Sequence, residues 1–477
     1  MAVTVYRPSY QVTLTKMVKR SGEGVAERYS GADRQVDLTP YLSEGGAIKI
    51  AKSIYEPAGA FTIAFADQLD GPTQDSLYAR IEPMDMIEIR GSRTPHTFSG
   101  SKLPLIMRGF VSTVRRSESM GQDGTPQRSI VVIGQDSGKL FQIHRLFWES
   151  IAQNPNAPIL DRFRLQAATG IEAAYLPVSE AMKQLVERVL NVRIDQMAAF
   201  AERAVPKVRV RGTVQQGIVS LNLIAPFQGA YWNLVETMAD RPWNEVFIED
   251  EEDAPVLIFR PAPFKDIRGE FIIPGAADPG TVELDASHVV SLDVARSDER
   301  VANFYWVPPG SSMLDSGLAV NAASIASGAP FDSSYGNNKP ELYGLRKMES
   351  NSNLLPESIG GLPTSLPPAE QDRAVADTIQ WHIARALLLR NMNRDNSALE
   401  DGSAVLQGSE KIKPGRFMRL TRGDLVAEAY ITKVTHSIAP LDGWTTQITL
   451  DRGMGFLERL HMAGAPFWRE GRHGPYG

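Results

Sequence analysis

The sequence contains no cysteine. Disulfides, thiolate zinc sites and cysteine nucleophiles are therefore excluded together, and the absence agrees with folding in a reducing cytoplasm. Histidine is scarce, with seven in 477 residues, and no two share a helical or hairpin spacing suited to a metal. His436 alternates with Val434 in a strand pattern and reads as a packed or rim residue. No apolar run approaches the ~20 residues that span a bilayer. The start, MAVTVYRPSYQVTLTKMVKR, has no apolar stretch after a basic start, so no secretory signal is expected. Positive charge is not in excess: the formal net charge is −6, whereas a protein that grips nucleic acid by its phosphates carries a basic surplus. There is no Gly-x-Ser-x-Gly and no His-Glu-x-x-His. Gly134–Leu140, GQDSGKL, is one residue short of a phosphate loop and has Leu140 where Ser or Thr must ligate magnesium, so it reads as a turn.

What is present is an ordinary globular composition, 43% hydrophobic and 22% charged, long enough for about three domains. The first part is a series of strand patterns: Ala47–Ile54, Ala60–Asp67 (with Phe61, Ile63 and Phe65 on one face), Asp85–Gly91, Leu105–Val114 and Arg128–Asp136. Turns such as Gln122-Asp123-Gly124 separate them, and the spacing suggests a small barrel or sandwich. After Lys139 the texture becomes mixed. Met182, Leu185, Val186, Val189 and Leu190 recur at helical spacing behind Ser179, a candidate cap. Strand patterns return at Ser287–Ser297 and Val301–Val307. A Gly/Ser/Asn/Pro-rich stretch from Pro308 to Pro368 reads as a long loop. A helix follows, with Val375, Ile379, Ile383 and Leu387 as its apolar stripe, Glu370 and Asp372 in its first turn, and Arg385 and Arg390 near its end to complement the dipole. Packing of that stripe on its own chain is the simpler reading. The last section is again β.

The stretch Asp240–Phe264, DRPWNEVFIEDEEDAPVLIFRPAPF, reads as a hairpin over 243–260 with five consecutive acidic residues, Glu249–Asp253, at its tip. A calcium loop needs ligands spaced around a turn, usually with a glycine inside, and this run has none. The tip is expected to be a solvated bend. Trp243 and Phe247 are expected to pack inward, and Arg260-Pro261-x-Pro263 to end the second strand, because proline cannot donate to a ladder.

The two outer β-sections echo one another. Arg90-Gly91 and Arg422-Gly423 end comparable strands, and Phe110–Val114 matches Tyr430–Val434. Asp136, Gly138 and Phe141 fall on Asp451, Gly453 and Phe456 at one constant offset. Shared spacing over several strands is the signature of a repeated unit.

These segments together resemble the baseplate hub proteins of contractile-tailed bacteriophages, relatives of the late-control tail proteins and of the amino-terminal part of type VI secretion spikes. GGAIKIAKSIYEPAGAFTIAFAD and IEPMDMIEIRG resemble the first tube-like barrel of that family. The helix and hairpin ending RPAPF resemble its middle domain, and ARSDERVANFYWV the strand returning to the second barrel. YGLRKMESNS with the long helix resembles its inserted segment, and IKPGRFMRL, AYITKVTHSI and WTTQITLDRG its closing strands. Residues 152–178 and 308–350 match nothing in it. The resemblance marks Trp243, Glu245, Arg260, Pro261, Asn303, Asp451, Arg452 and Gly453 as structural motif positions.

The implied architecture is mixed α+β and β-rich. It has a first tube-like β-barrel over 1–140, a middle α+β domain over 141–280, and a second barrel split between 281–310 and 405–460. An insertion with a long loop and the helix 368–393 spans 311–404, and a tail follows over 461–477. The implied function is a homotrimeric, hollow, non-enzymatic hub without cofactor. It would join a sixfold tail tube to a threefold spike, contact other inner baseplate proteins, and let the tape measure and DNA pass. A virion tail location follows. Paired carboxylates for glycan hydrolysis meet only in space, so a baseplate-associated peptidoglycan hydrolase stands as an alternative, as does a receptor- or carbohydrate-binding tail module.

Overall fold

In the computed structural model the residues described are 8–17, 35–42, 46–67, 69–70, 75–95, 102–120, 126–146, 176–219, 229–308, 317–332, 336–357, 368–422, 425–440 and 443–454. The expected turn at 122–124, Gly423, Phe456, the tail 461–477 and most of 152–178 lie outside them.

The fold is mixed α+β and β-rich, built on a 13-stranded, mostly antiparallel sheet. Its strands from the first half of the chain are β1 (Ser9–Thr15), β2 (Gln35–Asp37), β3 (Ala47–Ser53), β4 (Ala60–Ala66), β5 (Met86–Ser92), β6 (Leu105–Met120) and β7 (Pro126–Asp136). The middle of the chain supplies a small separate sheet of β8 (Arg209–Gly212), β9 (Asn244–Asp250) and β10 (Pro255–Pro261). The second half returns to the large sheet with β11 (Thr281–Asp285), β12 (Val289–Ala295), β13 (Glu400–Gln407), β14 (Arg416–Arg422), β15 (Leu425–Ala439) and β16 (Gly443–Met454).

Two units of six strands share one topology. The first runs β3-β4-β7-β6-β5-β1 across the sheet, and the second runs β12-β13-β16-β15-β14-β11. Taken in chain order the two paths are identical. The units differ in that β1 is antiparallel to β5, whereas β11 is parallel to β14. Each alternates with the strand period of two, so that β4 buries Phe61, Ile63 and Phe65. The inward residues gather into two clusters. Ile48, Phe65, Ile87 and Val132 belong to the first, and Leu406, Met418, Ile431 and Ile448 to the second.

A bulge fixes the correspondence of the units. The ladder β6–β7 slips at Ser112, between Val111 and Thr113, and the ladder β15–β16 slips at Thr432, between Ile431 and Lys433. Phe110 then matches Tyr430, as the sequence echo has it. Across the ladder, however, Gly134 matches Leu450 and Gln135 matches Asp451. The echo that set Asp136 on Asp451 is one residue out, and β16 accommodates an extra residue just beyond, at Arg452, which has φ 53°. The same holds for Arg90-Gly91. Met86 faces Phe110 and Phe417 faces Tyr430, so Arg90 falls on Thr421. In a strand one residue reverses the face a side chain points to.

Side-chain volume is exchanged between the units. Phe61 stands opposite Gly134 in the first, and Gly402 stands opposite Leu450 in the second.

The helices cover the outer face. α1 (Gly138–Ile143), α2 (Val178–Leu185), which passes through a π-turn at Val186–Leu190 into α3 (Asn191–Ala201), and α4 (Tyr231–Ala239) bury Leu185, Leu190, Trp232 and Val235 against Met86 and Phe110. Ser179 is not the cap. The N-cap position of α2 is Pro177, which makes no side-chain cap bond; the Val178 N–H is satisfied instead by Gly217 O at 3.0 Å, and the Ser179 hydroxyl donates to Val214 O at 2.6 Å. The stretch 308–368 is not structureless. It holds α5 (Gly317–Ala326), a short helix Pro340–Tyr343 and the strand Lys347–Glu349, which pairs in parallel with Phe304–Trp306. The expected strand Val301–Val307 is reduced to those three residues.

The long helix is α6 (Pro368–Asn393), at the bounds expected. Its buried face is Thr378, His382, Arg385, Ala386, Leu389 and Met392, while Val375, Ile379, Ile383 and Leu387 are only half-buried. Packing against Trp243 and Tyr305, not apolarity alone, chooses the face. The insertion also ends earlier than expected, because β13 begins at Glu400.

A Cβ at Gly134 would lie 2.1 Å from Phe61 Cζ and 2.5 Å from Phe110 O. Gly134→Ala is therefore expected to destabilise the protein by about 1–3 kcal/mol through overpacking, read as a lower urea midpoint at unchanged m. An unchanged midpoint would mean that the Phe61–Gly134 fit is not tight.

Candidate functional site: a charged hairpin across two sheet units

The hairpin pairs Asn244↔Pro261 through Asp250↔Pro255, and β8 adds to β10 in parallel. Both faces of it are covered. Val246, Ile248, Leu257 and Phe259 join the cluster under the helices. Phe247, Val256 and Ile258 pack with Ile54, Phe417 and Tyr430, from both sheet units. Trp243 and Phe247 are both buried, as expected, but in different clusters, with Trp243 packed against α6. β10 ends at Pro261.

The acidic tip is a solvated bend only at its end, where Glu252 and Asp253 are exposed. Glu249 accepts from Lys413 Nζ at 2.7 Å and from Arg416 at 3.1 Å, both in the second unit. Asp250, fully buried, lies 2.5 Å from Lys52 Nζ in the first unit. Lys52 is also 3.6 Å from the buried Asp136. Glu251 pairs with Arg209 at 3.2 Å and with Arg211 at 2.6 Å on β8. Glu252 pairs with Arg90 at 2.7 Å, and the Arg108 guanidinium donates to its carbonyl at 3.1 Å. Four consecutive carboxylates thus bind cations from three separate parts of the chain.

At the hairpin base Arg260 Nε donates to Glu245 at 2.6 Å, and its other arm donates to Gly415 O at 2.5 Å. The Tyr430 hydroxyl donates to Glu245 at 2.7 Å. Lys265, just beyond the hairpin, binds Glu428 and lies 4.1 Å from the Phe417 ring centre. The tip is therefore tied to both units and the base to the second.

The electrostatics follow burial and partner. Burial works against charge on Glu249, but Lys413 and Arg416 outweigh it and hold the carboxyl below its usual range. Burial likewise opposes the Lys52 ammonium, and Asp250 and Asp136 outweigh it. Burial pushes Asp136 up to about 6, against the pull of Lys52. Glu245 is raised, chiefly by burial. His436 is buried, bonded to Thr446 Oγ1 at 2.9 Å, and lowered by burial to about 4, which makes it a packed residue.

Equivalent positions of the two units carry opposite charges. Glu82, Asp85 and Glu88 in the first correspond to Lys413, Arg416 and Arg419 in the second, and Arg108 corresponds to Glu428. The cross-strand pair Glu88–Arg108 closes at 2.7 Å and the reversed pair Arg419–Glu428 at 2.8 Å. Lys16 takes up Glu82 at 3.2 Å and Asp85 at 2.5 Å, as Glu249 takes up Lys413 and Arg416. Met84 and Gly415 share a left-handed backbone, φ 74° and 78°. Only glycine leaves room there for Phe247, whose Cζ would lie 2.5 Å from a Cβ at Gly415.

The remaining motif positions lie elsewhere. Asn303 donates to Asn338 O and Gly344 O and accepts from Arg346 N at 2.9 Å, which stitches the insertion together. Arg452 reaches the end of α6, donating to Met392 O and to Asn393 Oδ1, and Gly453 stands opposite Glu400. Asp451 is bridged by Arg300 at 3.1 Å, and Arg300 also binds Asp401. Burial and the neighbouring Asp451 push Asp401 up to about 6. These groups and Ala295, Ser297 and Glu299 line a cleft of about 230 Å³. Among the described residues no group of three or more His, Asp and Glu is placed to hold a metal.

Sequence reasoning missed the buried pair Arg385–Asp240, 3.2 Å apart. Arg385 lies between the rings of Trp243 and Trp381, 4.9 and 4.4 Å from their centres. An arginine four residues after Trp381 in the helix was the available signal.

No known family profile matches the chain, and no curated protein is similar to it in sequence. Solved structures resemble it in fold. A tail protein of Neisseria meningitidis MC58 is 9% identical over 93% of this chain and 96% of its own, with a TM-score of 0.47. The 43 kDa tail protein of prophage MuSo2 from Shewanella oneidensis is 11% identical over 93% and 97%, at 0.44. An E. coli component of the type VI secretion system, itself structurally similar to T4 bacteriophage tail proteins, is 12% identical over 88% and 76%, at 0.40. The chain is similar to phage tail proteins. At this level of similarity, residue roles rest on the geometry of this chain.

Because Glu249 titrates below its ordinary value of 4.5 in the folded protein, its contribution is complete above that value. It is lost as pH falls through the lower folded value. Glu249→Gln is expected to cost about 1.5–3 kcal/mol near neutral pH, the range for a hydrogen bond to a charged group. The difference from the parent should shrink toward zero in acid. Denaturation midpoints of both proteins from neutral to acid pH check this, and a pH-independent difference would contradict it.

Proposed function

We propose that this chain is a structural, non-enzymatic hub of a contractile phage-type tail baseplate. Each six-stranded unit curls into a tube-like barrel, and three chains close into a hollow ring of six quasi-equivalent barrels. Such a ring presents a near-sixfold face to a tail-tube ring and a threefold face to a central spike. The tape measure and DNA pass through its lumen without specific binding, and other inner baseplate proteins attach around it. The observation that carries the reading is the pair of units with one topology and inverted charges, locked together by a single hairpin. A unit repeated within one chain is how a threefold assembly imitates a sixfold surface, and the inverted charges keep the true symmetry at three.

The acidic residues support a structural role. Four carboxylates of the tip are spent on intramolecular ion pairs. Among the described residues, the carboxylates Asp401 and Asp451 line one cleft, and both are held by Arg300. Light scattering of the purified chain over a wide concentration range, with electron microscopy of the assembled particle, is expected to give three copies per ring. The same preparation is expected to release no fragments from peptidoglycan. A monomer under all conditions would refute the hub, and peptidoglycan cleavage abolished by Asp401→Asn would replace it with the hydrolase.

A further inference from the structure

Within the chain the two units are joined by β15. Its first half pairs with β14, and its second half leaves the second unit and pairs with β3 of the first, from Lys433↔Ser53 to Ile438↔Ile48. The bond from Ile54 N to Thr432 O at 3.0 Å and the ion pair Lys433–Glu56 at 2.9 Å seal the start of this joint.

The equivalent strands of the other two edges are left over. β6 is the counterpart of β15. Its first half pairs with β5, but from Thr113 to Met120 it pairs only with β7 among the described residues. β12 is the counterpart of β3, since Val294 faces Gly402 as Ile50 faces Phe61, and among the described residues it pairs only with β13. An exposed edge of this length is normally covered or blunted. Here one chain carries both halves of a joint it has already made once with their counterparts.

We propose that Thr113–Met120 of one copy adds as an antiparallel strand to the outer edge of β12 in a second copy, in the register of the internal joint. Transferring that register places Arg116 opposite Val294, Ser117 opposite Asp293 and Glu118 opposite Leu292. Continued, it brings Met120 onto Val290. These two are among the most exposed large hydrophobic side chains, at 72% and 65%. Arg115 becomes a diagonal neighbour of Asp293, within reach of an ion pair. The bulge at Ser112–Thr113 lands on the cleft lined by Ala295, Ser297 and Arg300, as Thr432–Lys433 is seated against Ile54 and Glu56. Because the two edges lie on different units, the contact is head-to-tail and builds a ring or a filament. Only the closing number, three, rests on the hub reading.

The absence of native cysteine makes the test clean. Directly opposed residues of an antiparallel pair have Cβ atoms about 4.5–5.5 Å apart, close to disulfide reach. Lys49→Cys with Ser437→Cys reports the internal joint and is expected to close within one chain. Asp293→Cys with Ser117→Cys, the equivalent positions, is expected to link chains on mild oxidation of the full-length protein. Leu292→Cys with Ser117→Cys sets the pair one residue out of register and is expected to link several-fold less, because its side chains face opposite sides. Thermal melts of the reduced variants confirm folding. A ladder of linked chains ending at three supports both the pairing and the hub. A ladder ending elsewhere supports the pairing and refutes the threefold hub. A trimer by mass whose in-register pair links no better than the shifted pair leaves the hub standing and overturns the pairing. Failure of the in-register pair to link at all, while the internal pair closes, overturns it too.

Discussion

Everything in this fold hangs on one strand that is too long for the unit it belongs to. β15 has fifteen residues, and the ladder with β14 uses only the first part of it. The rest would be an open edge of backbone donors and acceptors, and β3 closes it. That single pairing merges two six-stranded units into one continuous sheet and fixes their relative register residue by residue. It also lays the outer faces of both side by side, so that Phe110 and Met86 in one unit and Tyr430 and Phe417 in the other can be roofed by the same middle segment.

Two copies of one topology in a single chain create a recognition problem, since an element that docks on one unit can dock on the other. The chain answers it with chemistry. Inverting the charges at four equivalent positions leaves each local cross-strand pair intact while reversing what a third element sees. Lys413 and Arg416 attract Glu249, where the equivalent Glu82 and Asp85 would repel it and are neutralised by Lys16. Specificity is a difference of affinities, and a repulsive wrong site contributes as much as an attractive right one. Backbone and volume work alongside charge, since the left-handed position filled by Met84 in one unit is a glycine in the other because Phe247 needs the space.

Much of the architecture was legible because strands and helices bury one face at a fixed period. The alternation around Phe61, Ile63 and Phe65, the hairpin strands, and the helix over 368–393 all follow from that rule. The acidic tip was misread for a reason equally physical. Most of its partners, among them Lys52, Arg90, Arg108 and Lys413, lie more than a hundred residues away in sequence, and a run of carboxylates without visible cations looks solvated. The internal echo was detected in Phe110 and Tyr430 yet slipped by one residue at Asp136, because a short shared Asp, Gly and Phe spacing does not fix which residues face each other across a ladder. β13 was cut short at its start because Glu400, Asp401, Gly402 and Ser403 carry no strand signature. They are ordered by the neighbours they join, Arg296, Arg300 and the ladder with β16.

The internal joint and its unmade counterpart together constrain the size of any closed assembly. If both joints turn one unit against the next by the same angle, a ring contains an even number of units, and closure with three chains requires about 60° at each joint. The two joints are not chemically equal. Lys433, His436 and Ile438 line the internal one, where Thr113, Arg116 and Glu118 stand at the other. A buried, uncharged His436 packed on Trp444 favours a permanent contact. An arginine and a glutamate on an open edge favour one that forms between soluble chains and discourages indiscriminate pairing before assembly. The division of labour is then set by burial. In the proposed assembly the joint within one polypeptide is made of packed side chains, and the joint between copies carries charge on its open edge.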